Sequence, residues 1–213
     1  MCKECCIVAA GPSPSFVRPG AFIIAADGGL EKLRSENISP DLVIGDFDSL
    51  GTNPIGSNVM TFPKEKDDTD TMLAIKEALK RGYEKIYISG GVGGRLDHTV
   101  ANLQSLIFAV KLGTEAYLCG ENETVTVLIG GSAAFSGSCS GKISLFCFGD
   151  SASGVTIEGL KYTAAGVSLS NMFPIGVSNE FTGSKALIAA ESGILGIIWD
   201  GTPDDIKIIG GRR

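Results

Sequence analysis

The sequence predicts an α/β protein: a doubly wound, mostly parallel sheet followed by a smaller all-β sandwich domain. Three observations carry that expectation. Short apolar runs alternate with helical patterns through the first 120 or so residues, as strands joined by crossover helices do. Helical periodicity then disappears, and short β-type runs punctuated by Gly, Ser, Asn and Pro replace it, as in a small sandwich. The charged and Gly-rich loops of the first part also follow its strands, where a parallel α/β sheet binds ligands. The expected division is residues 1–122 for the α/β domain and 123–213 for the β domain.

Cys6–Ala10 reads as the first strand and leads into the loop GPSPSFVRPG. Ala21–Ala26 is a second strand, ended by Asp27-Gly28-Gly29, with a short helix over Leu30–Ser35. Leu42–Gly45 and the weaker Asn58–Phe62 are the third and fourth strands. Thr71–Arg81 reads as a helix with Gly82 as its stop. Lys85–Ser89 is a fifth strand and Glu115–Cys119 a sixth. Between them Leu96, Val100, Leu103, Ile107 and Val110 recur at helical spacing and predict a helix over Asp97–Lys111 with an apolar stripe. The later runs TVTVLI, KISLFCF, GVTIEG, KALIAAE, GILGIIW and IKII supply the strands of the sandwich.

The chain has 213 residues, 44% hydrophobic and 20% charged, which excludes a disordered chain. No apolar run reaches the roughly 18–20 residues of a membrane helix. The N-terminus MCKECCIVAAG reads as a strand rather than a signal peptide, so the cytoplasm is the expected location. A net charge of −6 disfavours nucleic-acid binding through a basic surface. Six Cys, at 2, 5, 6, 119, 139 and 147, with His98 as the only His, fit reduced and mostly buried thiols better than a zinc site.

The segment IGDFDSL sets Asp46 and Asp48 two residues apart. In extended backbone they point to one side, which is costly unless a cation lies between them; Mg2+ is the natural candidate for hard oxygen ligands. An exposed acidic turn is the plain alternative. In EKDDTDTMLAI, helix capping explains one or two acids, but three within four residues is excessive. Asp67 and Asp70, spaced i, i+3, share a helix face and join the metal candidates. Asp68 points elsewhere and reads as a cap or solvent residue. The loop GGVGGRLDH is neither a Walker A loop nor a G-x-G-x-x-G fingerprint. Its Gly91, Gly93 and Gly94 let backbone N–H groups approach phosphate, and a helix N-terminus follows. Arg95 adds a bidentate phosphate donor, and Asp97 either caps the helix or joins the metal site. A tight turn is the alternative for the glycines, and a helix-start residue for His98. Mg2+ bridging a nucleotide polyphosphate accommodates all these loops.

The strings AADGG, PDLVIGDFDS, KDDTD, GGVGGRLDH and, late in the chain, GVSNEF resemble the thiamine pyrophosphokinase (thiamine diphosphokinase) family in order and spacing, over nearly the whole chain. The resemblance implies an α/β nucleotide- and metal-binding catalytic domain, a β-sandwich thiamine-binding domain, and a homodimer with active sites at the subunit interface. It implies the reaction of thiamine with ATP, as co-substrate, to thiamine diphosphate and AMP. It assigns Mg2+ to Asp46, Asp48, Asp67 and Asp70, with Asp68 at a variable position. It matches Asp27, Gly28 and Gly29 to a nucleotide-side loop and Arg95 and Asp97 to the phosphates. Ser178 and Asn179 match the thiamine-binding part. The expected catalytic set is Asp46, Asp48, Asp70, Arg95 and Asp97, with Asp97 or Asp70 as proton acceptor. An aromatic is expected on the thiamine rings, with Phe181 and Trp199 as candidates. Two rivals remain at this stage: a pyrophosphokinase of the same fold with another acceptor, and a non-catalytic thiamine or nucleotide sensor.

Overall fold

The computed structural model describes residues 3–46, 58–63, 65 and 67–211, and these fall into two compact units, Met1–Glu121 and Asn122–Arg213.

Among the described residues the first unit is built on six parallel strands: β1 (Glu4–Val8), β2 (Phe22–Ala26), β3 (Leu42–Gly45), β4 (Val59–Thr61), β5 (Lys85–Ser89) and β6 (Glu115–Cys119). Their spatial order is β6-β5-β1-β2-β3-β4. The central strands are buried along almost their whole length, which is why they read as continuous apolar runs rather than alternating ones. Among the described residues three helices complete the unit: α1 (Gly29–Ser35), α2 (Asp70–Lys80) and α3 (Leu96–Lys111). The α1 crossover from β2 to β3 and the α3 crossover from β5 to β6 run in opposite lateral directions. Right-handed crossovers therefore put the two helices on opposite faces. Leu30 and Leu33 of α1 pack on Val8, Ala25 and Val43, while α2 packs against α3. The sheet is doubly wound, and its order reverses between β1 and β5.

Helix ends follow local chemistry. Thr69 caps α2, its Oγ1 accepting from Met72 N at 3.1 Å. At the other end Gly82 N donates to Leu79 O at 2.9 Å and Tyr83 N to Ala78 O at 3.2 Å, a Schellman closure at the expected stop. Asp68 is not the cap; its Oδ2 pairs with Lys76 Nζ at 2.6 Å.

The α3 helix corrects the expected stripe. Its buried face carries Asn102, Ser105, Leu106 and Ala109, while Leu96 is 77% and Val100 48% exposed. The inward carboxamide finds a partner: Asn102 Nδ2 donates to Gly91 O at 2.9 Å. Apolar periodicity alone misassigned the face.

The second unit consists of two antiparallel sheets. One runs β12 (Asn179–Glu180), β9 (Lys142–Cys147), β14 (Leu195–Asp200), β7 (Glu123–Leu128). The other runs β11 (Ala164–Ser170), β10 (Ser151–Glu158), β13 (Ala186–Ala190), β8 (Gly131–Phe135), β15 (Ile206–Ile209). Alternation sends Ile143, Leu145 and Cys147 inward from β9, and Ala186, Ile188 and Ala190 from β13. Phe135 centres the core, 5.6 Å from Trp199 and 5.3 Å from Phe181 between ring centroids. Among the described residues no helix is long and apolar enough to cross a membrane. Cys5, Cys6, Cys119, Cys139 and Cys147 are buried free thiols, as expected; Cys2 lies outside the described residues.

Candidate active site

Because β1 to β5 are parallel, their carboxyl ends share one edge, and the polar loops of the first unit all leave from it. After β2, Asp27 adopts a left-handed conformation (φ 45°). Its N–H donates to Ile44 O at 2.7 Å and its carbonyl accepts from Leu30 N at 3.1 Å, so the strand turns sharply into α1. A side chain at Gly29 would overlap the Val8 carbonyl; only glycine lets α1 begin this close to β1. After β3 comes Asp46, half-buried. Phe62 N donates to Gly45 O at 3.1 Å, which holds the β4 exit beside it. That exit leads to Asp67, exposed, and Asp70, half-buried at the first turn of α2.

After β5 comes the glycine loop. A Cβ at Gly91 would lie 2.6 Å from Leu118 Cδ1, and the Gly91 carbonyl is held by Asn102. Asn102 was not singled out from the sequence. Its signal is a carboxamide in the second turn of the helix that follows a glycine loop, since a buried amide must find a partner. Pro12 lies close to Gly93 and Gly94. At the head of α3, Arg95 Nε and Nη2 donate to Asp97 Oδ1 and Oδ2 at 3.1 and 2.5 Å, and Asp97 Oδ1 also accepts from His98 N at 2.9 Å. Asp97 therefore orients Arg95 instead of capping the helix from outside. The Arg95 hydrogen bonds hold the Asp97 pKa below the usual carboxylate range, and the same bonds raise that of Arg95.

The metal candidates divide. Asp46, Asp67 and Asp70 follow neighbouring strands on this edge, whereas Asp48 lies outside the described residues. Among the described residues no three His, Cys, Asp or Glu side chains gather as a metal cage. The donors are carboxylate oxygens without thiolate or imidazole, and that chemistry fits Mg2+. This ion commonly takes one or two carboxylates and completes its shell with water and substrate phosphate.

In the second unit, Ser178 is exposed and left-handed (φ 62°), its N–H donating to Ser144 Oγ at 3.0 Å. Asn179 is buried, and its carboxamide holds the Tyr162 backbone. Trp199, only 1% exposed, belongs to the core and is unavailable for stacking on a ligand. Phe181 is half-buried against Phe135. Tyr162, Met172, Phe173, Ile175 and Val177 are exposed.

The class is thus a doubly wound α/β unit with a carboxylate- and glycine-rich carboxyl edge, followed by an antiparallel β-sandwich unit. Two family models match in the same order: thiamin pyrophosphokinase, catalytic domain, over residues 15–118, and thiamin pyrophosphokinase, vitamin B1 binding domain, over residues 137–195. The thiamine pyrophosphokinase of Bacillus subtilis is 27% identical over 202 residues, covering 89% of this chain and 94% of that protein. Thiamin pyrophosphokinase 1 of Caenorhabditis elegans is 25% identical over 188 residues, covering 82% and 77%. The crystal structure of the Bacillus subtilis enzyme superposes with a TM-score of 0.83 at 26% identity, over 94% of this chain and 100% of that one. The chain belongs to the thiamine pyrophosphokinase family.

Proposed function

We propose that this protein is a thiamine diphosphokinase, transferring the pyrophosphoryl group of ATP to the hydroxyl of thiamine and releasing AMP. The observation that carries the reading is the pairing, in one chain and in order, of a catalytic-domain match and a vitamin-B1-binding match. The parallel-sheet edge bearing Asp46, Asp70 and the Gly91–Gly94 loop supports it.

The thiamine hydroxyl oxygen attacks the β-phosphorus. The bond from that phosphorus to the α–β bridging oxygen breaks, AMP leaves, and the hydroxyl proton passes to a carboxylate, Asp70 or Asp97. The loop of Asp27, Gly28 and Gly29 and the backbone of Gly91, Gly93 and Gly94 hold the nucleotide. Arg95, oriented by Asp97, meets the phosphate charge. Asp46, Asp48, Asp67 and Asp70 would hold Mg2+, which when bound neutralises phosphate charge and favours in-line geometry. Most of the rate then comes from positioning and electrostatics rather than covalent chemistry. Ser178 and Asn179 serve the thiamine part.

The reading extends to a cytoplasmic homodimer with active sites at the subunit interface. The exposed Met172, Phe173, Ile175 and Val177, close together in sequence, support association, because exposed apolar surface on one segment suits an interaction surface. Mixing the protein with ATP, Mg2+ and thiamine tests the activity: AMP and thiamine diphosphate should appear in equal amounts. Release of ADP alone, or of AMP without a thiamine product, refutes it. A fully active monomer in sedimentation refutes the shared-interface part.

A further inference from the structure

At the switch point between β1 and β5, Gly11, Ser13 and Lys32, none of them given a role in the site above, hold Gly90 at the head of the glycine loop. Gly11 N donates to Gly90 O at 2.8 Å, continuing the β1–β5 pairing beyond the strands. A side chain at Gly11 would overlap that same carbonyl, so the two loops meet backbone to backbone. Ser13, only 5% exposed, turns its hydroxyl inward, where Oγ accepts from Gly90 N at 3.1 Å. Lys32, in the last turn of α1, donates from Nζ to Gly11 O at 2.6 Å and to Ser13 O. Burial is the main influence on its amine and holds its pKa below the ordinary lysine value.

The connectivity is what matters. Lys32 sits on the helix that Asp27, Gly28 and Gly29 introduce. Its ammonium grips the loop after β1, and that loop grips Gly90, the first residue of the glycine loop after β5. Three loops that leave separate strands are therefore tied by one charged donor and one hydroxyl. A charge-assisted donor with two carbonyl acceptors is stronger than a neutral hydrogen bond, and it stands where backbone N–H groups must be pre-set to receive phosphate.

We infer that Lys32 and Ser13 are positioning residues for nucleotide binding: through Gly11 and Gly90 they fix the glycine loop relative to the Asp27 loop, without touching the nucleotide. This rests on the nucleotide-binding reading above. It makes a distinctive demand, because weakening the clamp should act on nucleotide affinity and leave thiamine affinity alone.

Calorimetric titration with α,β-methylene-ATP and Mg2+, and separately with thiamine, tests it on wild type, Lys32→Met, Lys32→Arg and Ser13→Ala. Lys32→Met should weaken the nucleotide analogue about tenfold, the scale of a lost charge-assisted hydrogen bond, with thiamine affinity unchanged. Lys32→Arg should recover most of the loss, and Ser13→Ala should show a smaller loss of the same kind. Unchanged analogue binding in Lys32→Met overturns the inference, as does an equal loss for both ligands, which marks a merely structural role. Should Lys32→Met not fold, unchanged binding in Ser13→Ala overturns it. A wild type that binds no analogue overturns the inference together with the function it rests on, whereas a wild type that binds and a Lys32→Met variant that matches it remove this inference alone.

Discussion

The carboxamide of Asn179 brackets the backbone of Tyr162: Oδ1 accepts from Tyr162 N at 2.9 Å and Nδ2 donates to Tyr162 O at 2.7 Å. The same Oδ1 accepts from Glu180 N at 2.9 Å. The motif that resembles a thiamine-binding element is therefore also a staple inside the second unit. Asn179→Ala removes these hydrogen bonds to the part-buried Tyr162 and Glu180 backbone, at about 0.5–1.5 kcal/mol for each one lost. Thermal unfolding should register that loss without ligand. Asn179→Asp should be as costly near neutral pH, because a carboxylate cannot donate to the Tyr162 carbonyl. An unchanged unfolding midpoint in both variants contradicts the staple.

Two glycines of one loop should respond differently to alanine. Gly90 has φ 67°, and a Cβ there would overlap the Ala9 carbonyl, a backbone atom that cannot swing aside. Gly93 has φ 83°, but its nearest neighbour is Pro12 Cγ at 3.4 Å. Gly93→Ala should therefore cost only the left-handed penalty of about 1–2 kcal/mol. Gly90→Ala adds a steric clash and should lose several kcal/mol or fail to fold. Denaturant unfolding of the pair measures the gap, and equal losses contradict it.

The parallel strands were legible because burial on both faces leaves continuous apolar runs and the polar punctuation falls at their ends. β6 over Glu115–Cys119 and β15 over Ile206–Ile209 match the expected residues. β8, Gly131–Phe135, and β11, Ala164–Ser170, were not legible. They are rich in Gly, Ala and Ser, and pairing with β13, β15 and β10 makes them strands despite weak propensity. In α3 the stripe expected from apolar residues at helical spacing differs from the buried face, where Asn102 and Ser105 face inward; a polar side chain with an assured partner is invisible to a hydrophobic pattern. Trp199 is one of two aromatics expected on the thiamine rings, but it is buried in the core, and burial is a property of the assembled sandwich. That polar loops follow β2, β3, β4 and β5 at their carboxyl ends was legible, with Asp48 lying outside the described residues. Lys32 and Ser13 were not, since their meaning depends on loops that meet only in the folded sheet.

Asp46→Asn should leave the fold intact and cut turnover by about a hundredfold or more. Loss of even an outer partner of a metal ligand costs ~10–100-fold, and on the Mg2+ reading proposed above this change weakens a direct oxygen donor. Steady-state rates with ATP, thiamine and a range of Mg2+ concentrations, beside an unfolding curve, separate the two effects. Partial recovery at high Mg2+ is expected. Wild-type turnover would remove Asp46 from the site.

The Arg95–Asp97 pair makes a prediction about pH. Arg95 hydrogen bonds, ahead of the His98 N–H, hold the Asp97 pKa below its ordinary value of 3.8. The folded protein thus binds that proton more weakly than the unfolded chain. The pair's contribution is present above the ordinary carboxylate pKa and is lost as pH falls through the depressed one. Both side chains are well exposed, at 73% and 62%, so solvent and salt screen the pair and its effect on stability is small. The carboxyl titration itself is the better readout. NMR of the Asp97 side-chain carbonyl should show a midpoint below 3.8, moving upward in Arg95→Gln and in molar salt. A carboxylate held this way is also a weak base near neutral pH, which favours Asp70 of the two proposed proton acceptors, so Asp97→Asn should harm catalysis by loosening Arg95 and raise the KM for ATP more than it lowers kcat. A midpoint insensitive to Arg95→Gln would show that the guanidinium is not held by Asp97 in solution.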